Sequence, residues 1–322
     1  MVTKLKQRSE QPFSIQGWLR SLWTFSRPHT IVGTSLSVIA LGIMAWGLSS
    51  STVSIATIVW LILAALVPSL CANVYIVGLN QLTDIAIDRI NKPKLPLASG
   101  AFSVAMGRRI VFVLGFLALV LAAVQGPILL ATVVVSMIIG TVYSLPPLRL
   151  KRFPFWAALC IFGVRGLIVN LGFFTHFRAS FYGESWQAIP AEVWALTAFV
   201  VLFSVAIALF KDIPDLEGDR QFQVRTLTVR LGTHTVFKLS LGVLILSYGL
   251  LISLPLGGVL PSIHIGFLTV THLGLLAGLL WRARQVNLAE NTQVKRFYQF
   301  IWRLFFLEYI LFPLACLLGQ AP

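Results

Sequence analysis

Long apolar runs separated by short polar stretches dominate this chain. Runs of about 18 or more mostly apolar residues are long enough to cross a bilayer as helices. Nine such runs occur, at 30–48, 53–79, 108–124, 127–145, 154–175, 192–210, 236–254, 263–281 and 300–318. Only Gln125, Gly126 and Pro127 divide the third from the fourth. Ahead of them, Ile15, Trp18, Leu19, Leu22 and Trp23 recur at helical spacing beside Arg20. That pattern predicts an amphipathic helix lying in the membrane interface. The expected fold class is therefore all-α and polytopic, with nine transmembrane helices around a central cavity. A basic amphipathic segment over 1–26 precedes one membrane domain over 27–322, with no soluble domain.

Composition supports this. Apolar residues make up 57% of the 322 positions and charged residues only 11%, and the mean hydropathy is +0.86. The net charge of +14 is distributed rather than clustered. If each run crosses once, all of the 25 basic residues except Arg165 and Arg178 fall on the side of the N-terminus. Positive charge marks the cytoplasmic face, so the N-terminus is expected inside and the C-terminus outside. The basic surplus thus reads as topology and attraction to an anionic membrane surface, and nucleic acid is not expected as a partner. Cys71, Cys160 and Cys316 all lie in apolar runs, and their odd number shows no disulfide framework or metal spacing. The N-terminus shows no cleavable signal and no Ser/Arg-rich transit segment.

Negative charge changes the picture. More than half of the 11 acidic residues sit in two short blocks, Asn80-Gln-Leu-Thr-Asp84-Ile-Ala-Ile-Asp88 and Lys211-Asp-Ile-Pro-Asp215-Leu-Glu-Gly-Asp219. Both end apolar runs, where ionisable groups are costly and read as functional. Asp84 and Asp88 are four apart, as are Asp215 and Asp219, which on a helix puts each pair on one face. Two ionised carboxylates about 6 Å apart repel by roughly 3 kcal/mol at an effective dielectric near 20. Cations are needed to hold them. The offset from Asp84 to Asp215 recurs from Asp88 to Asp219, Arg89 to Arg220 and Lys94 to Arg225. Membrane proteins built from internal repeats commonly form their site at the repeat interface, so the blocks are expected to face one cavity.

Magnesium suits such a site, because it takes oxygen ligands and joins one or two carboxylates to substrate phosphates. Asp84, Asp88, Asp215 and Asp219 are the candidate ligands, with Asn80 supplying a neutral oxygen. Lys94, Tyr143, Arg149, Lys151, Arg152, Lys211 and Arg225 are candidates for the diphosphate, the basic ones gripping its oxygens. Tyr143, Phe173 and Phe174 are candidates to face a developing carbocation.

With these residues the chain resembles the UbiA-type intramembrane aromatic prenyltransferases. Asn80, Asp84 and Asp88 meet the first motif of that superfamily, and Asp215 and Asp219 the second. The segment Tyr143-Ser-Leu-Pro-Pro-Leu-Arg-Leu-Lys-Arg152 and the nine-span layout agree. Arg27-Pro-His-Thr30, Asn91-Lys-Pro-Lys-Leu-Pro-Leu-Ala-Ser-Gly100 and Val229-Arg-Leu-Gly232 are similar to the homogentisate prenyltransferase branch. The resemblance implies magnesium-dependent transfer of a prenyl group, phytyl preferred over solanesyl, from its diphosphate to homogentisate with loss of carbon dioxide. The product would be 2-methyl-6-phytylbenzoquinol, a tocopherol precursor. It implies a bacterial, cyanobacterial member in the plasma or thylakoid membrane with its site facing the cytoplasm. Arg27 and His29, then Arg165 and Asn170, are the candidates for the aromatic acid. Arg165 is the one basic residue deep in an apolar run and should face the interior with a partner, Glu192 or backbone carbonyls.

Two rivals stand beside this. A sibling enzyme would use solanesyl diphosphate or another aromatic acceptor, on the plastoquinone, ubiquinone, menaquinone or chlorophyll routes. A cation transporter would also place carboxylates at helix ends, but basic loops at a cation mouth would repel the permeant ion. Oligomeric state is left open by the sequence.

Overall fold

The computed structural model describes residues 14–49, 53–183, 189–224 and 226–320. All regular elements among the described residues are helical: α1 (Ile15–Phe25), α2 (Pro28–Gly47), α3 (Ile55–Thr83), α4 (Ile85–Asn91), α5 (Pro96–Ser99), α6 (Val104–Val124), α7 (Pro127–Ser144), α8 (Pro154–Phe162), α9 (Val169–Tyr182), α10 (Ala191–Phe210), α11 (Leu216–Gln221), α12 (Leu227–Leu231), α13 (Thr233–Leu256), α14 (Ile265–Ala283) and α15 (Asn291–Gly319). Nine helical stretches among these residues are long and apolar enough to cross a membrane, α8 and α9 forming one of them, Pro154–Tyr182.

Local chemistry sets the boundaries. Pro28, Pro127 and Pro154 open α2, α7 and α8, where proline's missing N–H costs nothing. Ser54 and Ser103 cap α3 and α6 by accepting from Thr57 N and Met106 N. Gly126, at φ +110°, makes the short reversal between α6 and α7, a conformation only glycine enters freely. The two spans that the sequence barely divides are thus distinct helices. Between α8 and α9 the helix widens into a π segment at Gly163–Ile168.

The helices pack with small residues at close approaches. A Cβ on Gly140 would lie 2.7 Å from Ile76, which brings α7 onto α3. α10 and α15 form the interior, where Phe199, Phe203, Tyr248 and Phe305 are fully buried and meet edge-on or tilted. Phe112 and Val270, 75% and 71% exposed, point outward from α6 and α14, an apolar surface fit for hydrocarbon. α1 keeps Ile15, Leu19 and Trp23 exposed and packs Trp18 against Phe102, as an interfacial amphipathic helix should.

Glu308 is fully buried on α15 with Oε2 3.1 Å from His272 Nε2 of α14, and His272 Nδ1 donates to the Leu268 carbonyl. This pair lies away from the acidic blocks and holds the two helices together.

Candidate active site

The two acidic blocks have the same local build. α3 ends at Thr83, Asp84 breaks the helix, and α4 begins with Asp88 in its first turn. α10 likewise ends at Phe210, Asp215 stands before α11, and Asp219 falls in its first turn. Neither Asp84 nor Asp215 spends its side chain on capping, so both carboxylates are available to the space between. α4 packs on α11, and Gly218 N donates to Asn91 Oδ1 at 3.1 Å, stitching the two blocks together.

Both blocks open into one cavity of about 1280 Å³. Asn80, Asp84, Asp88, Asp215 and Asp219 line its mouth with Lys94, Tyr143, Arg149, Lys151, Arg152 and Lys211. Arg225 lies outside the described residues. Asp84 is the most heavily engaged: Arg149 donates to it at 3.1 Å, Lys151 at 2.8 Å and Asn80 Nδ2 at 3.3 Å. Lys211 faces Tyr143 Oη at 3.4 Å and Asp212 at 3.4 Å. Lys94 and Arg152 stand exposed at the rim.

Two residues at the mouth stand outside the candidate set read from the sequence. Lys92 donates to Asp215 Oδ2 and lies 4.0 Å from Asp88 Oδ1, a bridge between the blocks. Its spacing of four from Asp88 is the ion-pair spacing of a helix and was the available signal. Asp212 is a further carboxylate on the wall, hidden because no second aspartate stands four residues from it.

Among the described residues no three acidic, histidine or cysteine side chains stand together at metal-ligand spacing; lysine and arginine hold the aspartates instead. The donor set nevertheless fits a hard divalent cation. Asp88 Oδ2 is buried without a hydrogen-bond partner, and every candidate ligand atom is oxygen. Burial pushes the Asp88 carboxyl up from its usual range. Burial, with Asp212 and Asp215 nearby, pushes Asp219 up to about 7. Such crowding of carboxylates is relieved by a cation. Burial likewise lowers Lys151 below an ordinary lysine, although Asp84 pulls the other way.

One wall is aromatic and basic. Arg27, in the left-handed region at φ +53° ahead of α2, donates to Asn80 Oδ1 at 3.4 Å. His29 meets the Trp302 ring edge-on at 4.8 Å. Arg165, within the π segment, stacks over Trp302 and Phe305 at 4.9 and 5.4 Å. These rings, rather than Glu192, are its neighbours; Glu192 accepts from Ser262 N at 2.9 Å. All three basic candidates line the cavity. Asn170 is not part of that lining: it is fully buried, and its Oδ1 accepts from the Tyr309 hydroxyl at 2.8 Å, a link between α9 and α15. Phe173 lines the inner cavity and Phe174 lies behind it in the core.

Membrane-length helices around a cavity that is ionic at its mouth and apolar inside define an intramembrane prenyltransferase. The chain belongs to the UbiA prenyltransferase family, which it matches over residues 35–304. It is 50% identical to a homogentisate phytyltransferase of Synechocystis over 299 residues, 92% of this chain and 96% of that protein. It is 42% identical to a homogentisate geranylgeranyltransferase of Hordeum vulgare, over 92% of this chain and 72% of that protein. A UbiA homolog from Archaeoglobus fulgidus bound to GPP and Mg2+ shares the fold at a TM-score of 0.61 and 19% identity, over 92% of this chain and 99% of that one.

Proposed function

We propose that this protein transfers a phytyl group from phytyl diphosphate to homogentisate, releasing diphosphate and carbon dioxide and leaving 2-methyl-6-phytylbenzoquinol. One observation carries the proposal: both aspartate blocks, the basic cluster and the Arg27–His29–Arg165 wall face a single cavity with an apolar interior. The 50% identity to the Synechocystis phytyltransferase supports the choice of substrates.

Asn80, Asp84, Asp88, Asp215 and Asp219 would hold magnesium. When bound, the ion neutralises the diphosphate as its bond to the prenyl carbon breaks. Lys92, Arg149 and Lys151 exchange their carboxylate partners for diphosphate oxygens, and Lys211 adds a further cation. Arg27 and His29 orient the aromatic acid by its carboxylate, with Arg165 beneath them. Tyr143 offers its ring face to the allylic cation. The segments 89–107, 220–224 and 226–235 would keep water from that cation. In this reading the mouth faces the cytoplasm, which the basic residues gathered on its side of the chain support.

The test is turnover by purified, detergent-solubilised protein with phytyl diphosphate and magnesium, product read by mass. Homogentisate should be prenylated, and 4-hydroxybenzoate should give at most a trace. Turnover of 4-hydroxybenzoate in preference would overturn the acceptor.

A further inference from the structure

A second cavity, of about 450 Å³, opens toward the other end of the bundle between α3, α6 and α9. It shares no lining residue with the cavity of the aspartates. Ala64 on its wall stands about 30 Å along α3 from Asp84, at 1.5 Å per residue. Trp60, Val67 and Val124 give it an apolar wall. They are 69%, 51% and 82% exposed, so this wall faces the hydrocarbon of the membrane.

Two polar groups of this pocket lack partners. Pro68 lies inside α3, and without an N–H it leaves the Ala64 carbonyl with no donor from its own helix. Gln125, which ends α6, supplies one: its Nε2 donates to the Ala64 carbonyl at 2.8 Å and to that of Leu121 at 3.1 Å. Those two carbonyls fix which way the amide points. Its Oε1 is left buried with no donor. On α9, His176 lines the same pocket at 3% exposure, and its Nε2 is likewise buried without a hydrogen-bond partner. Buried polar atoms are mostly paired, so two orphans on one pocket point to a ligand.

The lining sets the chemistry of that ligand. It holds no lysine, arginine, aspartate or glutamate. Arg178 is two residues from His176, which turns it to another face of α9, and its guanidinium stacks over Tyr182 at 5.1 Å. A phosphate would enter with no cation to meet it. A hydroxyl both donates and accepts, so it satisfies Gln125 Oε1 and either tautomer of His176. Gln125 directly follows the span Val104–Val124, which puts the pocket at the level where lipid headgroups meet hydrocarbon. The exposed Trp60 suits that level.

We propose that this pocket binds a membrane lipid with an uncharged, hydroxyl-bearing headgroup. The hydroxyls pair with Gln125 and His176, and the acyl chains lie along Trp60, Val67 and Val124. The site stands whether or not the other cavity transfers a prenyl group.

Native mass spectrometry of the purified full chain in detergent tests this, with lipids of identical dioleoyl chains: a glucosyl diacylglycerol, phosphatidylglycerol and phosphatidylcholine. The wild type should retain the glucosyl lipid at least fivefold more than either phospholipid. His176→Phe removes an atom that has no partner in the protein, and Ser180→Phe fills the pocket from an exposed position. Each should cut that preference at least fivefold while still melting cooperatively in lipid-free detergent. Equal retention of all the lipids would reduce the pocket to acyl-chain contact and overturn the proposal. A preference for phosphatidylglycerol would overturn it too, as would a glucosyl preference undiminished in either folded variant.

Discussion

Lys92 joins the two halves of the site: its ammonium donates to Asp215 and stands 4.0 Å from Asp88. A single lysine from the loop after α4 thus neutralises carboxylates from both blocks where the proposed cation would bind. Lys92→Met leaves those carboxylates facing one another. The variant should melt lower than wild type without metal and gain more in melting temperature when magnesium is added. A magnesium-induced gain equal to that of wild type would show that Lys92 does not share the cation's place.

The pH dependence of metal binding follows from Asp219, whose carboxyl is pushed up to about 7 mainly by burial. Below that pH the group keeps a proton that an incoming cation must displace. Apparent magnesium affinity should fall about tenfold per pH unit below 7 and level off above it. Without metal, the folded carboxyl retains its proton where the unfolded one has lost it, so stability declines as pH rises toward 7. Calorimetric titration across this range checks both slopes, and an affinity flat in pH would refute the assignment.

The spans and the acidic pairs were legible in the sequence because both are local. Apolar runs gave nine spans with boundaries close to those observed, yet the last run, 300–318, belongs to a helix that starts at Asn291. Its polar first turns around Lys295 and Arg296 remain helical outside the apolar stretch, where hydropathy gives no signal. The four-residue spacing found the aspartate pairs but not the helix breaks at Asp84 and Asp215 that turn them toward the cavity. Partners from distant helices were the least visible. Nothing near Arg165 in the chain announces Trp302, and nothing near Asn170 announces Tyr309, whose hydroxyl donates to it.

On the proposed assignment, Arg27 serves the aromatic acid rather than the prenyl diphosphate. It reaches Asn80 from the start of α2 and stands on the same wall as His29 and Arg165. Arg27→Ala should raise the Michaelis constant for homogentisate at least tenfold, more than that for the prenyl diphosphate. Steady-state kinetics with each substrate varied in turn decide this. Equal rises would place Arg27 among the diphosphate ligands.

Glu308 and His272 predict a loss of stability without a loss of chemistry. Removing one partner from a buried pair strands the other and costs about 3–5 kcal/mol. Glu308→Ala should therefore unfold well below wild type in a thermal melt. The protein that remains folded should keep wild-type Michaelis constants, since the pair lies outside the cavity lining.

The proposed reaction couples metal-assisted prenyl transfer to loss of the acceptor's carboxylate. Its most direct test supplies homogentisate labelled in the carboxyl carbon together with phytyl diphosphate, with magnesium or with EDTA. Asp84→Ala and Asp215→Ala serve as controls. Labelled carbon dioxide and phytylated quinol should appear in equal amounts with magnesium, and neither with EDTA or in either variant. Phytylated product formed without metal, or product that retains the label, would contradict it.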